Sequence, residues 1–533
     1  MDFKNRLPWL HILAGLAGFI IVLGIILRFF RITDADFTFY DEGLYLNLSR
    51  PFSDFVAKHL PLKGADFWQA VYTLLLISLP QGKALWLFLV DSRVFWGLWE
   101  GWSVPRVIAA VSGTLTLGLE FIFVQRFFQN RLIAFLSVVL LSILPSHVFY
   151  SRLALQETLS TLFFLAGFYF YLFPAKLNSR TFLSAVFFIG AYFTNYRLII
   201  IPLLVLWAEI WMSLSLGQRP NVRKYIWHVL TFLSLMFSIG AIDEGQNTVV
   251  TFSWMFHQAQ LGQHQFDWLN FFSFPYYLFR LEHPFFGLLF FSGAYLLSRR
   301  SFYDLLPLGL VLLQMAIFSF AADKAARYVC VVTPFLAASV AVTIARLWDD
   351  IKNPRRQVVL GILVFFLVAG MTLKSVRLAT AVSDYRPSMQ YLVGLDPAVK
   401  VISTQPFVQN LYVEPRERVQ ECPLEFIGLV ALYMQGYRYL VLDPQAYITY
   451  TADRNKFTPV LKDYLGFILT NAKPVKEFPH FNQDLLERFV FEHNENLQRS
   501  LAFLRMNDAG MGRLRIYDIN ACLLAIQQRL GSR

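Results

Sequence analysis

Cysteine is scarce in this chain, charge is sparse, and acidic residues are outnumbered. The three cysteines are Cys330, Cys422 and Cys522, and none stands in a C-x-x-C spacing. That argues against a cysteine-based metal module. Cys330 falls in an apolar run and reads as a small core residue. Cys422 and Cys522 fall in the C-terminal part, where a disulfide is open to them if that part is extracytoplasmic. Charged residues make up 16% of the chain, against about 25% in soluble domains. The C-terminal part has no Gly-rich phosphate loop and no nucleophile elbow. The chain shows no internal repeat and no low-complexity stretch.

Long apolar runs fill the space that charge leaves. The hydrophobic fraction is 56% and Phe occurs 54 times, with a mean hydropathy of +0.48. A soluble fold of 533 residues has no way to hide such blocks. The net charge of +11 would suggest nucleic acid in a soluble protein. Here much of it lies in short loops between apolar segments, so no nucleic-acid partner is expected and the lipid bilayer is the expected surrounding. A span takes about 20 apolar residues. The segments that qualify lie near 10–30, 106–125, 132–150, 153–173, 181–195, 197–216, 226–243, 284–298, 303–321, 328–346 and 357–374. The first is too long for a signal h-region, so it is expected to be a span. Segments 67–79 and 84–99 are shorter and read as interfacial helices.

Lys and Arg set the expected orientation. With Lys4 and Arg6 inside, the inside loops also carry Arg126 and Arg131, Lys176 and Arg180, Arg219 to Lys224, Arg299 and Arg300, and Arg346 to Arg356. The expected fold class is therefore a polytopic α-helical membrane protein of about eleven spans with a C-terminal α/β domain. Residues 1–380 would form the membrane region, with outside loops at 31–105 and 244–283, and residues 381–533 the extracytoplasmic domain. In that domain, Val399–Thr404, Tyr439–Leu442 and Arg515–Asp518 read as strands, and 483–505 as helix. The expected location is a plasma (inner) membrane with the N-terminus cytoplasmic.

The chemistry-bearing residues fall on the outer side in this layout. Asp41 and Glu42 stand together just beyond the first span. A carboxylate at a water–membrane boundary suits a general base or a metal ligand. A solvated loop turning at Gly43 is the plainer alternative. Arg152 and Glu157 lie between the third and fourth spans, either as an ion pair that holds a helix end or as parts of a polar cavity. Asn195-Tyr196-Arg197 links two spans. Asp323-Lys324-Ala325-Ala326-Arg327-Tyr328 precedes another. Cations outside run against the positive-inside trend and call for an anionic partner such as phosphate, unless they pair locally with Asp323. His257, His264 and His283 fit no zinc spacing. A transporter would place ionisable groups at mid-bilayer, and the spans are nearly free of them there.

In order along the chain, these motifs resemble those of GT-C glycosyltransferases. The likeness is to the superfamily of protein O-mannosyltransferases and lipid A aminoarabinose transferases, over roughly residues 10–346. Tyr40-Asp41-Glu42-Gly43-Leu44-Tyr45 is similar to the family's DE motif, and Ser151–Glu157 to its Arg-containing segment. Asn195-Tyr196-Arg197 is similar to its Lys-Tyr link, His264–Pro284 to its fourth outside loop, and Lys324–Pro334 to its Lys/Arg-Tyr-apolar-Pro segment. Gln156 departs from the usual Pro and Arg197 from the usual Lys. The resemblance implies sugar transfer from an undecaprenyl- or dolichyl-phosphate donor to a glycan, lipid or protein acceptor, with inversion. It implies Asp41 as the base, Glu42 and Glu157 as catalytic partners, and Tyr45, Arg152, Tyr196, Arg197, His264, Lys324, Arg327 and Tyr328 as substrate-binding residues. It leaves room for a divalent metal (Mg or Mn) on Asp41 and Glu157. A lipid-linked-sugar flippase and a non-catalytic glycan-binding scaffold remain the alternatives.

Overall fold

A computed structural model describes residues 7–33, 40–48, 50–58, 63–78, 82–93, 103–173, 177–217, 219–264, 267–297, 303–423, 425–443, 465, 468, 471–479, 483–492, 496–505 and 513–531. Lys4, Arg6, Lys176, Arg299 and Arg300, which helped set the expected orientation, lie outside these residues. The chain divides into two compact units. The first holds Met1–Thr33, Ser49–Ala322 and Ala326–Ala379; the second holds Asp34–Leu48, Asp323–Ala325 and Thr380–Arg533.

Each of the eleven apolar segments is mainly helical over its described residues. Among the described residues, four helices are long and apolar enough to cross a membrane: Ser103–Phe128, Tyr196–Leu216, Ala326–Asp350 and Pro354–Ala379. Their outer faces carry Leu115, Ile122, Leu214, Val358, Ile362, Phe365 and Phe366, all exposed. A soluble protein would not present apolar bands of that kind, and a bilayer accepts them. Ala326–Asp350 is the central helix, with 94% of its most apolar stretch buried, against 22% for Pro354–Ala379. The Glu157–Leu172 and Leu177–Thr194 helices lock through Phe164, Phe168 and Phe188, whose ring centroids lie 5.0–5.9 Å apart. Phe335 of the central helix joins the same cluster.

The expected third span is broken. Asn130 starts the Arg131–Ser142 helix by accepting from the amides of Leu132 (2.9 Å) and Ile133 (3.2 Å). Pro145 ends that run and opens a short helix, Pro145–Tyr150. Pro has no N–H to give Leu141, and the Ser146 amide is spent on Glu282 Oε2 at 3.0 Å. Arg28 supplies the missing donors. It reaches the carbonyls of Ser142 (2.8 Å) and Leu141 (3.2 Å) and lies 2.7 Å from His147 Nδ1. Ser375 Oγ donates to the third carbonyl, Ile143, at 2.8 Å. Gly24 lets the two helices approach this closely, because a Cβ there would overlap the Ser142 carbonyl.

Carboxylates elsewhere in the first unit are tied into structure. Glu209 accepts from Tyr171 Oη (2.9 Å), the Asn221 amide (2.8 Å) and Lys224 Nζ (3.2 Å). Asp304 takes Arg346 in a two-point bridge at 2.8 and 3.0 Å. Glu120 accepts from Ser137 Oγ.

The second interfacial stretch is described over residues 84–93 and forms the helix Ala84–Asp91, about 12 Å long and too short to span. The middle loop departs from expectation and is not irregular: it holds the Gln246–His264 helix and the short Trp268–Phe271 and Ser273–Tyr277 helices. Its mixed polar and aromatic sequence hides a helical period.

The second unit is built on a five-stranded sheet in the order β2-β1-β3-β5-β4. The strands are β1 Val401–Ser403, β2 Val419–Glu421, β3 Tyr439–Leu442, β4 Lys476–Pro479 and β5 Arg513–Asp518. β1 lies parallel to β2 and β3, whereas β5 runs antiparallel to β3 and β4. Ile402, Leu440, Leu442 and Tyr517 pack with Leu429, Cys422 and Cys522 in one apolar cluster. Cys422 and Cys522 carry no disulfide. Both are buried in the core, and burial pushes the Cys522 thiol up to about 12. Asp443, just after β3, accepts from Tyr385 Oη (2.6 Å) and Thr404 Oγ1 (3.0 Å). Segment 483–505 forms two helices, Gln483–Glu492 and Leu497–Arg505, rather than one.

Candidate functional site

Two clusters of the expected residues form, one in each unit. In the first unit the centre is Glu157, at the first position of the Glu157–Leu172 helix and only 2% exposed. Among the described residues, neither of its carboxylate oxygens accepts a hydrogen bond from another residue. Its electrostatic partners are three cations, Arg327, Arg197 and Lys83. The neighbouring Gln156 is fully buried, and its side-chain amide also has no partner among the described residues. Buried polar groups are normally satisfied, so two adjacent ones left open mark a place built for something else.

The cations are positioned by similar local architecture. Arg197 lies in a 3₁₀ turn, Tyr196–Ile200, that runs into a helix with Pro202 in its first turn. Arg327 lies in the 3₁₀ turn Ala326–Val332, followed by a helix with Pro334 in its first turn. Pro costs nothing at a helix start, where no N–H bond is needed. Asn195 secures the first turn by accepting from the Arg197 amide at 3.3 Å. The Arg197 guanidinium sits over three rings: Tyr328 at 4.5 Å, Tyr196 at 5.3 Å and Trp254 at 5.4 Å. Such an aromatic box holds a cation without neutralising it. Lys83 follows Gly82, whose carbonyl accepts from the Tyr196 amide at 3.2 Å. The turn between the two interfacial helices is thus pinned to the Tyr196 turn.

Lys83, Trp254 and Gln156 are the residues that sequence reasoning missed as site members. Trp254 falls in the stretch expected as the middle outside loop. An aromatic at 254 within a hidden helical period was the one available signal.

Arg152 is placed differently from expectation. It does not pair with Glu157. It donates to the Leu27 carbonyl and, at 2.8 Å, to the Ala379 carbonyl. Both acceptors sit at helix C-terminal ends, where a cation is favoured. Arg152 is therefore a brace between the Leu7–Phe29 and Pro354–Ala379 helices. His264 ends the Gln246–His264 helix, and its side chain lies outside the described residues.

In the second unit, Asp41, Glu42 and Tyr45 share the Tyr40–Leu48 helix, with both carboxylates in its first turn. Asp41 is half-buried, and Glu42 and Tyr45 are buried. Lys324, also buried, belongs to the same unit. This differs from the expected division, which left the whole of 31–105 with the membrane region. The reason is the close seat of Gly43 on the carbonyl of Phe407: a Cβ at residue 43 would overlap it.

A divalent metal does not suit Glu157. The three cations facing it would repel such an ion, and among the described residues no group of three His, Cys, Asp or Glu side chains converges.

No protein-family model matches the sequence, and no curated protein matches it. Solved structures do match. An oligosaccharyltransferase from Archaeoglobus fulgidus in the apo form aligns with a TM-score of 0.55 at 9% identity, covering 85% of this chain and 72% of its own. The archaeal oligosaccharyltransferase AglB from the same organism, in complex with an inhibitory peptide and a dolichol-phosphate, aligns at 0.54 and 10% identity, covering 90% and 77%. ArnT from Cupriavidus metallidurans in the apo state aligns at 0.52 and 15% identity, covering 82% and 94%. This membrane chain has the fold of the GT-C glycosyltransferases.

Proposed function

We propose that the chain is a glycosyltransferase that moves a sugar from an undecaprenyl- or dolichyl-phosphate donor to an acceptor at the outer face of the membrane. The observation that carries this reading is Glu157: a buried carboxylate with no hydrogen bond from another described residue, set among Arg327, Arg197 and Lys83. With that carboxylate ionised, the four side chains together sum to two positive charges. A lipid phosphodiester carries one negative charge, and the phosphate it leaves behind moves toward two. The cluster therefore complements the departing group better than the bound donor, which is the condition for lowering a barrier. In this reading the acceptor oxygen attacks the anomeric carbon and the bond to the phosphate oxygen breaks. The electron pair leaves on the phosphate, facing the cations. The acceptor proton passes to a carboxylate base, the role that the sequence resemblance implies for Asp41, and the configuration inverts. Glu42 is the catalytic partner of Asp41, and Tyr45 binds substrate. Tyr196 and Tyr328 hold Arg197 in place. The N-terminus would be cytoplasmic, and the Thr380–Arg533 segment would face the opposite side.

The test is transfer by the purified protein in liposomes, using a panel of polyprenyl-phosphate sugars. Wild type is compared with Asp41→Asn, Glu157→Gln and Arg327→Ala. One consumed donor, with all three folded variants impaired, supports the reading. Full activity of Asp41→Asn on that donor refutes it. Flux of a lipid-linked sugar across the bilayer without product would favour transport instead.

A further inference from the structure

The Tyr40–Leu48 helix, which carries Asp41 and Glu42, grips a segment that lies 360 residues further along the chain. Asn47 is the grip. Its Nδ2 donates to the Phe407 carbonyl (2.9 Å), to the Gly43 carbonyl within its own helix (2.8 Å) and to Asn410 Oδ1 (3.1 Å). Asn410 Nδ2 donates back to Asn47 Oδ1 at 3.0 Å. The two amides therefore form a reciprocal pair, each giving and each accepting, and the Phe407 carbonyl fixes which way Asn47 is turned. Gly43 and Asn47 are one helical turn apart and share a face. Gly43 lies so close to Phe407 and Val408 that no side chain fits.

Helical spacing puts Asp41 and Tyr45 on the other side of the same helix, about 160° from the gripped face. The gripped segment is itself held to the sheet. Pro406–Gln409 follows β1 after two intervening residues, Ser403 Oγ of β1 bonds the Gln409 side chain, and Gln409 Nε2 donates to Ser388 Oγ at 3.2 Å. The chain of contacts runs from the sheet, through Gln409 and Phe407, to the helix that bears the carboxylates.

We infer that the C-terminal unit sets the orientation of the carboxylate helix, and that Asn47 and Asn410 are positioning residues for Asp41. A base displaced by about 1 Å loses much of its rate while substrate binding elsewhere is untouched. This rests on the reading of Asp41 as base.

The experiment uses the full-length protein in liposomes, with kcat and KM for the consumed polyprenyl-phosphate sugar and hydrogen exchange of residues 40–48. Asn47→Ala should lower kcat about tenfold with KM for the donor within about twofold, and should speed exchange in that helix. Asn410→Ala should do the same more weakly, because Asn47 keeps its two backbone acceptors. The double variant should be no worse than Asn47→Ala alone, since the pair acts as a unit. Unchanged kcat and unchanged exchange in both single variants overturn the inference. So does a fall in kcat with exchange that rises throughout the C-terminal unit in both variants, which would mean a general loss of structure. Asp41→Asn, run alongside, separates the two ideas. If it is inactive while Asn47→Ala is fully active, the positioning role fails and the base survives. If it is fully active, the base reading itself fails.

Discussion

The helix break at Pro145 allows a test in which the largest opposing energy cancels. Arg28 is fully buried, and among the described residues its hydrogen bonds go to carbonyls and a His ring rather than to a carboxylate; it donates to the Leu141 and Ser142 carbonyls, which the break deprives of their i+4 amides. Arg28→Met removes both donors: the Ser142 carbonyl loses its Arg28 partner, and the Leu141 carbonyl is left with the long contact from the Leu144 amide at 3.4 Å. A buried carbonyl left without a good partner costs about 1–3 kcal/mol. Against this, removing a buried charge recovers a desolvation cost of several kcal/mol. The sign for the single variant is therefore a balance of two large terms. Pro145→Ala resolves it. Alanine at that position has an N–H that can reach the Leu141 carbonyl in the ordinary i to i−4 way, replacing one lost donor. The charge term is the same in both backgrounds and drops out of the double-mutant cycle. We expect Pro145→Ala to be more favourable in the Arg28→Met background than in wild type by about 1–2 kcal/mol. The assay is reversible unfolding of the purified protein in one detergent, with four proteins compared. Additivity within about 0.3 kcal/mol would refute the claim that Arg28 replaces the amide that Pro145 lacks.

Other outcomes follow from the same geometry. Glu157→Gln should lower kcat by about a hundredfold and tighten inhibition by free polyprenyl phosphate, because the cations lose their internal counter-charge; weaker inhibition would contradict the charge arrangement. Trp254→Ala removes one of the rings around Arg197, and should raise KM for the donor about 2- to 30-fold, from a cation–π contribution of about 0.5–2 kcal/mol. In the C-terminal core, the Cys522 thiol is pushed from 9.0 up to about 12. The folded state therefore holds its proton where the unfolded state has released it. The stability linked to Cys522 is complete below about pH 8.5 and falls as pH rises toward the folded value. Cys522→Ala should accordingly show a shallower loss of stability between about pH 9 and 11, measured by thermal unfolding at a series of pH values. Identical slopes would contradict the burial assigned to this thiol.

The legibility of the site varied with the range of the interaction behind it. Tyr439–Leu442 and the closing strand near Arg515–Asp518 were readable, because β-branched and aromatic runs in a pleated core obey a local pattern. β2 and β4 were not: Val419–Glu421 and Lys476–Pro479 are short and mostly polar, and exist because β1 and β5 offer edges to pair with. Arg152 and Glu157 were singled out together since they are five residues apart on one boundary. Their separation into a brace and an open carboxylate depends on carbonyls at Leu27 and Ala379, 125 and 227 residues away from Arg152.

Sequence alone determined that this chain lives in a bilayer, where the apolar helices lie, and that acids and cations collect at segment ends. Those follow from hydropathy and from the cost of charge in hydrocarbon, both local properties of a run of residues. Tertiary structure alone decided which cations face Glu157, that Lys83 and Trp254 join them, and that the Asp41 helix belongs with the C-terminal unit. Each of these is a contact between segments distant in the chain. Its energy comes from geometry created by packing, such as the bare backbone at Gly43 that admits the Phe407 carbonyl.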